Sequence, residues 1–263
     1  MQKHPSNDLI ALVLGGGGMF GAYQAGVWEA LEDHVQPGLI CGASIGALAG
    51  WALAGRCPAR EWSRQWLELD PASLPGLRFP RRPLGGCLDT QAFEGLVRRI
   101  HTNFTPQIPC AVAITDLLRL EAKAVVTPNV EWVHLAASCA VFGLFPQYRI
   151  EGRLYTDGGI LRSVPLWAAT GLGARKLIGV NLFPGGGPWW LRAGRSVVQG
   201  LTPRKPPIPA EDVEVVMIEH DGPLGSPSEA ISWRRESVAR LIEMGRRDGQ
   251  AALPAVRRLL KTF

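Results

Sequence analysis

An apolar run, Leu9–Leu14, ends directly in four glycines, Gly15–Gly18, and an apolar segment with helical spacing follows at once from Met19 to His34. Little else in the chain restricts the fold as much. A short apolar run without polar alternation reads as a strand buried on both faces. Glycines let the backbone turn sharply and approach a ligand closely. Helix spacing resumes immediately, with Ala22, Tyr23, Gly26, Val27, Ala30 and Leu31 on related positions. Strand, glycine turn and helix in that order open an α/β unit.

The pattern then repeats. Gly38–Cys41 reads as a strand and Ile45–Ala54 as an apolar helix. Glu61–Leu69 and Thr90–His101 read as helices on either side of a Pro/Gly/Arg-rich loop or lid, Asp70–Gly86. Cys110–Thr115 and Glu121–Thr127 read as strands, in a hairpin around Leu117–Arg119. Trp132–Cys139 is helical, Arg153–Thr156 a strand leading into Asp157, and Pro165–Thr170 a short helix. Lys176–Asn181 and Val213–Ile218 are further β runs, and residues 233–260 form a basic helical tail. Strands alternating with helices predict an α/β fold with a mostly parallel central sheet and helices on both faces. With 263 residues, 46% hydrophobic and 19% charged, the chain can bury a full core, and we read residues 1–263 as one domain.

Three constellations carry chemistry. Gly15–Gly21 sits between strand and helix, where unpaired N–H groups can hold negative charge, either a phosphate or a developing oxyanion. Gly16–Gly21 satisfies G-x-G-x-x-G, but the next strand ends Ile40-Cys41-Gly42-Ala43-Ser44, without the carboxylate that a dinucleotide site requires. No Lys-Ser/Thr follows the glycines, so the P-loop pattern is also missing. The second constellation, Gly42-Ala43-Ser44-Ile45-Gly46, is a G-x-S-x-G between strand and helix, the sequence of a nucleophile elbow. Its structural alternative is a helix start capped by Ser44. The third, Asp157-Gly158-Gly159, places a carboxylate at a strand end before two glycines, a pattern that taken alone is usually a turn.

Loop, elbow and aspartate stand in the order seen in patatin-like phospholipases, and the chain resembles that family over roughly residues 9–182. Ala113–Leu117 is similar to its A-x-T-D-L strand end. Ala136–Ala140, Phe145-Pro146, Asp157–Gly159 and Val164-Pro165 are similar to its stretch around the catalytic aspartate. The resemblance implies a serine acyl-hydrolase cleaving lipid esters, phospholipase A- or lysophospholipase-like. In it, Ser44 attacks, Asp157 accepts the proton, and the N–H groups of Gly16, Gly17 and Gly18 form the oxyanion hole. Gly21, Gly42, Gly46, Gly158 and Gly159 complete the motifs, and neither metal nor cofactor is expected. Two positions depart from the family pattern. Phe20 stands where a basic residue is usual and Ser163 where an Asn is usual.

Two alternatives stay open. One is a non-catalytic lipid- or acyl-binding protein of the same fold. The other is an esterase with a Ser44/Asp157/His220 triad, since His220 follows a strand-like run. Asp116, Ser138 and Cys139 are read as structural, with Thr156 and Ser163 orienting the Asp157 loop. The tryptophans, Trp62 and Trp66 among them, line the core or an acyl pocket.

The five cysteines are scattered without paired spacing, so no disulfide framework or zinc site is expected. The polar Met1–Asp8 segment and the glycine-broken apolar stretch Leu39–Gly55 predict neither a signal peptide nor a transmembrane helix, hence a soluble, cytoplasmic protein. The net charge of +5 favours peripheral contact with an anionic membrane surface. Part of it lies in the basic Pro/Gly/Trp loop 183–210, with Arg192, Arg195, Arg204 and Lys205 beside Trp189 and Trp190. A lipid or acyl ester is the expected partner, and nucleic acid is not; the oligomeric state is left open.

Overall fold

The computed structural model describes residues 9–77, 86–184 and 212–261, together with 196, 200 and 202. The basic loop at 183–210 therefore lies almost wholly outside the described residues, as does much of the Asp70–Gly86 loop.

Strands β1 (Ile10–Leu14) and β2 (Leu39–Ala43) flank helix α1 (Gly21–Leu31). Helices α2 (Ile45–Ala54) and α3 (Ala59–Leu67) follow, then a small ribbon of β3 (Gly76–Leu77) and β4 (Leu88–Asp89), then α4 (Gln91–Asn103). Next come β5 (Cys110–Asp116), β6 (Glu121–Val126), α5 (Trp132–Ser138), β7 (Tyr148–Ile150) and β8 (Arg153–Asp157). The chain continues through α6 (Leu166–Gly171), β9 (Lys176–Val180) and β10 (Glu214–Ile218) to a long helix, α7 (Arg235–Lys261).

The main sheet runs β10-β9-β1-β2-β5-β8-β7, with β6 also paired to β5. The five strands from β10 to β5 are mutually parallel, while β6, β7 and β8 add antiparallel pairings. Strand order reverses at β1, and the crevice at the carboxyl ends of such a sheet is where ligands bind.

Period-two alternation divides the strand residues between two faces. Leu12, Leu14, Ile40, Val112, Ile114 and Ile178 face a large core built with α1 to α5 and α7. Ala11, Val13, Leu39, Cys41, Ala111 and Leu177 face a smaller one, covered by Ala168 and Ala169 of α6. Each fully buried Leu or Ile contributes roughly 1.5–3 kcal/mol.

Helices α1 and α7 touch backbone to backbone. A Cβ at Gly26 would overlap the Ile242 carbonyl, and one at Gly245 the Tyr23 carbonyl. One at Gly249 would stand 2.9 Å from Ala30 Cβ. An Arg246–Glu29 ion pair at 2.8 Å flanks the crossing. No helix among the described residues is long and apolar enough to cross a membrane.

Candidate active site

Strand β5 sets the site. Along one flank, its residues 110–113 pair with β2, ending in Ala43 opposite Ala113. From the next residue onward β8 takes over that flank, with Asp157 opposite Ile114 and Thr156 opposite Thr115. Strand β2 therefore stops where β8 arrives, and Ser44, one residue past Ala43, meets Asp157 end to end on a shared ladder. Both are buried, with 8% and 7% of their surface exposed.

Ser44 sits at φ 55°, ψ −129°, a left-handed conformation that costs a non-glycine residue about 1–3 kcal/mol. Its side chain makes no capping bond to α2, so its hydroxyl is not held as a helix cap. The flanking glycines are needed for space. A Cβ on Gly42 would overlap the Gly46 carbonyl, and one on Gly46 the Leu14 carbonyl, so β1, β2 and α2 converge only with both residues bare. The start of α2 also presents its positive dipole end to Ser44.

Ser138 holds the elbow. Its hydroxyl accepts from the Ser44 amide at 2.8 Å and donates to the Ala113 carbonyl at 2.7 Å. Its own carbonyl accepts from the Gly158 amide at 3.2 Å. One fully buried serine thus ties Ser44, the β5 ladder and the turn after Asp157 together. Ser138→Ala removes the hydroxyl that pairs the Ser44 amide and the Ala113 carbonyl and keeps the backbone bond from Gly158, a loss that costs about 1–3 kcal/mol. We expect kcat on a p-nitrophenyl ester to fall about tenfold to a hundredfold with KM little changed. An unchanged kcat would show that the elbow stands without this residue.

Asp157 is fixed just as closely. Its Oδ1 accepts from the Gly159 amide at 2.7 Å, and its carbonyl accepts from the Thr115 hydroxyl at 3.0 Å. Its amide donates to the Ala140 carbonyl at 3.0 Å, which also accepts from the Thr156 hydroxyl at 2.9 Å. A Cβ on Gly158 would overlap the Ala113 carbonyl, so the turn after Asp157 needs glycine there. Cys139 lies near both residues. Burial pushes its thiol up, the Asp157 charge pushes it further, and a hydrogen bond with Ser44 draws it partly back. Among the described residues all five cysteines are free thiols.

The glycine loop lies over Ser44, with a Cβ on Gly16 falling 3.0 Å from Ser44 Cβ. Its amides are not equivalent. Gly16 N–H donates to the Ser163 carbonyl at 2.9 Å and Met19 N–H to the Ala230 carbonyl at 2.9 Å. The Gly16 N–H, expected as an oxyanion donor, is thus committed to the loop after Asp157, and its bare α-carbon lies against Ser44. The loop's remaining candidates are Gly17 and Gly18. Gly21, three residues on, faces Ile45, with its Cβ position 2.6 Å from Ile45 Cγ1. Phe20 is buried, packed edge-on against Phe183 at 5.9 Å.

A cavity of about 340 Å³ opens beside the elbow, within the range of small-molecule sites. Met19 and Ile45, the latter next to Ser44, line it together with Leu48, Trp62, Trp66 and Phe93.

Other sequence candidates fall elsewhere. Asp116 accepts from the Leu118 and Arg119 amides at 3.2 and 3.1 Å and caps the β5–β6 turn. His220 follows β10, three strand spacings from β2, or about 14 Å. Its Nδ1 is hydrogen-bonded to Asp248 at 2.8 Å, and Tyr23 donates to the same oxygen at 3.0 Å. The structure thus joins His220 to α1 and α7 and not to Asp157. Among the described residues no group of three or more His, Cys, Asp or Glu side chains is placed to hold a metal ion. The hydrogen bonds of Ser138 and the nearness of Cys139 to both residues were missed from sequence; their only signal was their place in the family-like stretch Ala136–Ala140.

Comparison with known proteins agrees with this architecture. The patatin-like phospholipase family profile matches residues 12–170, more than half of the chain. Patatin-like phospholipase domain-containing protein 7 of Mus musculus is 29% identical over 189 residues, covering 67% of this chain and 14% of that protein. An uncharacterized NTE family protein of Mycobacterium bovis is 30% identical over 182 residues, covering 67% of this chain and 50% of that one. The chain therefore spans only a part of these relatives. Among solved structures, VipD from Legionella pneumophila superposes with a TM-score of 0.53 at 14% identity, over 95% of this chain and 68% of that one, a likeness of fold. With Ser44 and Asp157 meeting on the β5 ladder beneath the glycine loop and the profile spanning all three, the chain belongs to the patatin-like phospholipase family.

Proposed function

We propose that the chain is a serine lipid acyl-hydrolase of phospholipase A or lysophospholipase type, acting through a Ser44–Asp157 dyad. The observation that carries the reading is the shared flank of β5, which sets a strained serine against a buried carboxylate under a glycine loop. Ser44 Oγ attacks the ester carbonyl carbon and passes its proton to Asp157. The Gly17 and Gly18 amides hold the tetrahedral oxyanion, a contribution of about 10²–10³ in turnover for each donor of this kind. Collapse breaks the C–O bond to the alcohol, which leaves with the proton from Asp157. Water then attacks the acyl-enzyme and gives a proton to Asp157; collapse breaks the acyl bond to Ser44 Oγ, which takes that proton back as the fatty acid departs. The apolar cavity beginning at Ile45 seats the acyl chain.

Labelling tests this against both alternatives. A fluorophosphonate is expected to form a covalent adduct on Ser44, read by peptide mass spectrometry, at the same rate in wild type and in His220→Ala. An unlabelled wild type supports a binding protein. A His220→Ala labelling rate lowered about a thousandfold supports the triad instead.

A further inference from the structure

We propose that Glu229 is a positioning residue for the oxyanion loop, clasping the connection from β10 to α7 onto Gly18, an inference that rests on the acyl-hydrolase reading above. Glycine accepts φ of either sign, so four in succession hold no pose of their own. A donor that stabilises an oxyanion must nevertheless be set in place before the reaction. The pose therefore comes from outside the loop. Gly15 N–H donates to the Val180 carbonyl at 3.0 Å, Gly16 N–H is held by Ser163, and the Gln24 side-chain amide donates to the Gly15 carbonyl at 2.7 Å. Those bonds fix the entry of the loop and leave Gly17 and Gly18 to its exit.

Ala230 holds the exit. Its carbonyl accepts the Met19 N–H at 2.9 Å and lies so close to Gly18, at φ 58°, that a Cβ there would overlap it. A peptide unit is planar, so the grip on the Met19 N–H fixes the plane that begins at the Gly18 α-carbon. Phe20 rests on the same segment, its Cε1 3.3 Å from the position of a Cβ on Gly225. Residues 224–232 lie beyond the stretch 12–170 that the family profile matches, so this anchor belongs to the C-terminal part of the chain.

Glu229 keeps Ala230 there. The segment is turn and bend, with neither helix nor strand to give it shape. Glu229 Oε2 accepts from the Ser226 amide at 2.9 Å and the Ser226 hydroxyl at 3.1 Å. Its Oε1 accepts from the Ser237 hydroxyl at 3.0 Å and the Arg240 guanidinium at 2.9 Å, both on the first two turns of α7. Arg240 also donates to the Leu224 carbonyl at 2.9 Å, and Trp233 ties the far end of the segment to the Trp66 carbonyl at 3.0 Å. The carboxylate thus braces the middle of the segment against α7, which packs backbone to backbone on α1, the helix that begins where the glycine loop ends. The Ser226 amide, then the Ser237 and Ser226 hydroxyls, hold the Glu229 carboxyl down to about 2. Its contribution is therefore fully present above the ordinary value of 4.5 and is lost as pH falls through about 2.

Two readouts on the full-length chain test the clasp, one of them independent of chemistry. Glu229→Ala is compared with Glu229→Gln, which keeps the shape and one acceptor oxygen. Glu243→Gln, which breaks an exposed pair with Arg246 on the same helix, is the control. Amide hydrogen exchange in the peptide spanning residues 17–20 is expected to quicken about tenfold in Glu229→Ala and to stay at the wild-type rate in Glu243→Gln. Turnover of p-nitrophenyl butyrate is expected to fall about tenfold in kcat with KM within about twofold. The inhibition constant of an alkyl trifluoromethyl ketone, which forms a tetrahedral adduct on a serine, should rise by the same factor. Glu229→Gln should lose less than about threefold. Wild-type exchange in Glu229→Ala overturns the clasp. Quickened exchange with kcat and the inhibition constant unchanged overturns the positioning role. Where Glu229→Ala melts below the assay temperature, Arg240→Met, which removes only the guanidinium donor, replaces it; the same split at about threefold is expected, and its absence overturns the proposal. A wild type that neither turns over the ester nor binds the ketone, with the exchange difference intact, would instead remove the acyl-hydrolase reading and leave the clasp standing.

Discussion

Ser44→Ala is expected to lower turnover of p-nitrophenyl esters on the order of 10⁴–10⁶-fold, and Asp157→Asn on the order of 10⁴-fold, with both proteins folded. The first substitution removes the attacking oxygen and keeps the backbone. The second is the sharper probe. Asparagine matches aspartate in shape, and its carbonyl can still accept the Gly159 amide that now binds Oδ1 at 2.7 Å. The turn at Gly158 and the bonds from Thr115 and to Ala140 involve the backbone and survive. What is lost is the capacity to accept a proton. Steady-state rates across a chain-length series, with melting curves for each variant, check this. Activity persisting in Ser44→Ala would remove the nucleophile assignment, and persistence in Asp157→Asn would require another base.

The second large effect is on stability. Gly245→Ala is expected to destabilise the protein by about 3 kcal/mol, because two physical effects oppose each other and packing wins. Helix propensity alone favours alanine over glycine by about 1 kcal/mol. At this crossing, however, the added methyl group would overlap the Tyr23 carbonyl, and α1 and α7 must separate. Separation also strains the Tyr23–Asp248–His220 cluster that joins the same helices. At about 2–4 °C per kcal/mol, the melting temperature falls by roughly 6–12 °C. Gly95→Ala is the control. It stands mid-helix in α4, where the nearest atom to a new Cβ is the mobile end of Arg99 at 3.6 Å, so propensity should win and stability rise by up to about 1 kcal/mol. Equal effects of the two substitutions, followed by circular dichroism, would refute the packing argument.

How much of this could be read from sequence depended on how local the cause was. The first strand and the helix after Ser44 were legible because Leu9–Leu14 and Ile45–Ala54 are apolar and end in glycines, signals contained in a few residues. Strand β7 was missed. It has only three residues, and its turn to β8 runs through Glu151 and Gly152 at positive φ, where Glu gives none of the Asn-Gly or Asp-Gly signature of such hairpins. The four glycines pointed to a loop able to hold negative charge without saying which amides were free. That depends on Ser163, which folds back from far along the chain to take the Gly16 N–H. Ser138 was read as packing because a buried serine in a helix looks the same whether or not it grips a neighbouring strand. His220 followed the chain order of a triad, but the sheet order carried β10 away beyond β9 and β1.

The way β5 is shared has a consequence for how such a protein can change. The spacing between serine and aspartate is written in ladder register and not in the length of the chain that joins them. Insertions between α3 and α4, or in the connection from α5 to β7, can lengthen the route without moving either residue. A single deletion within β8, by contrast, would turn the carboxylate to the opposite face of the sheet. Substrate range can therefore drift through the loops at little risk to the chemistry, while the three residues by which β8 grips β5 tolerate almost no error.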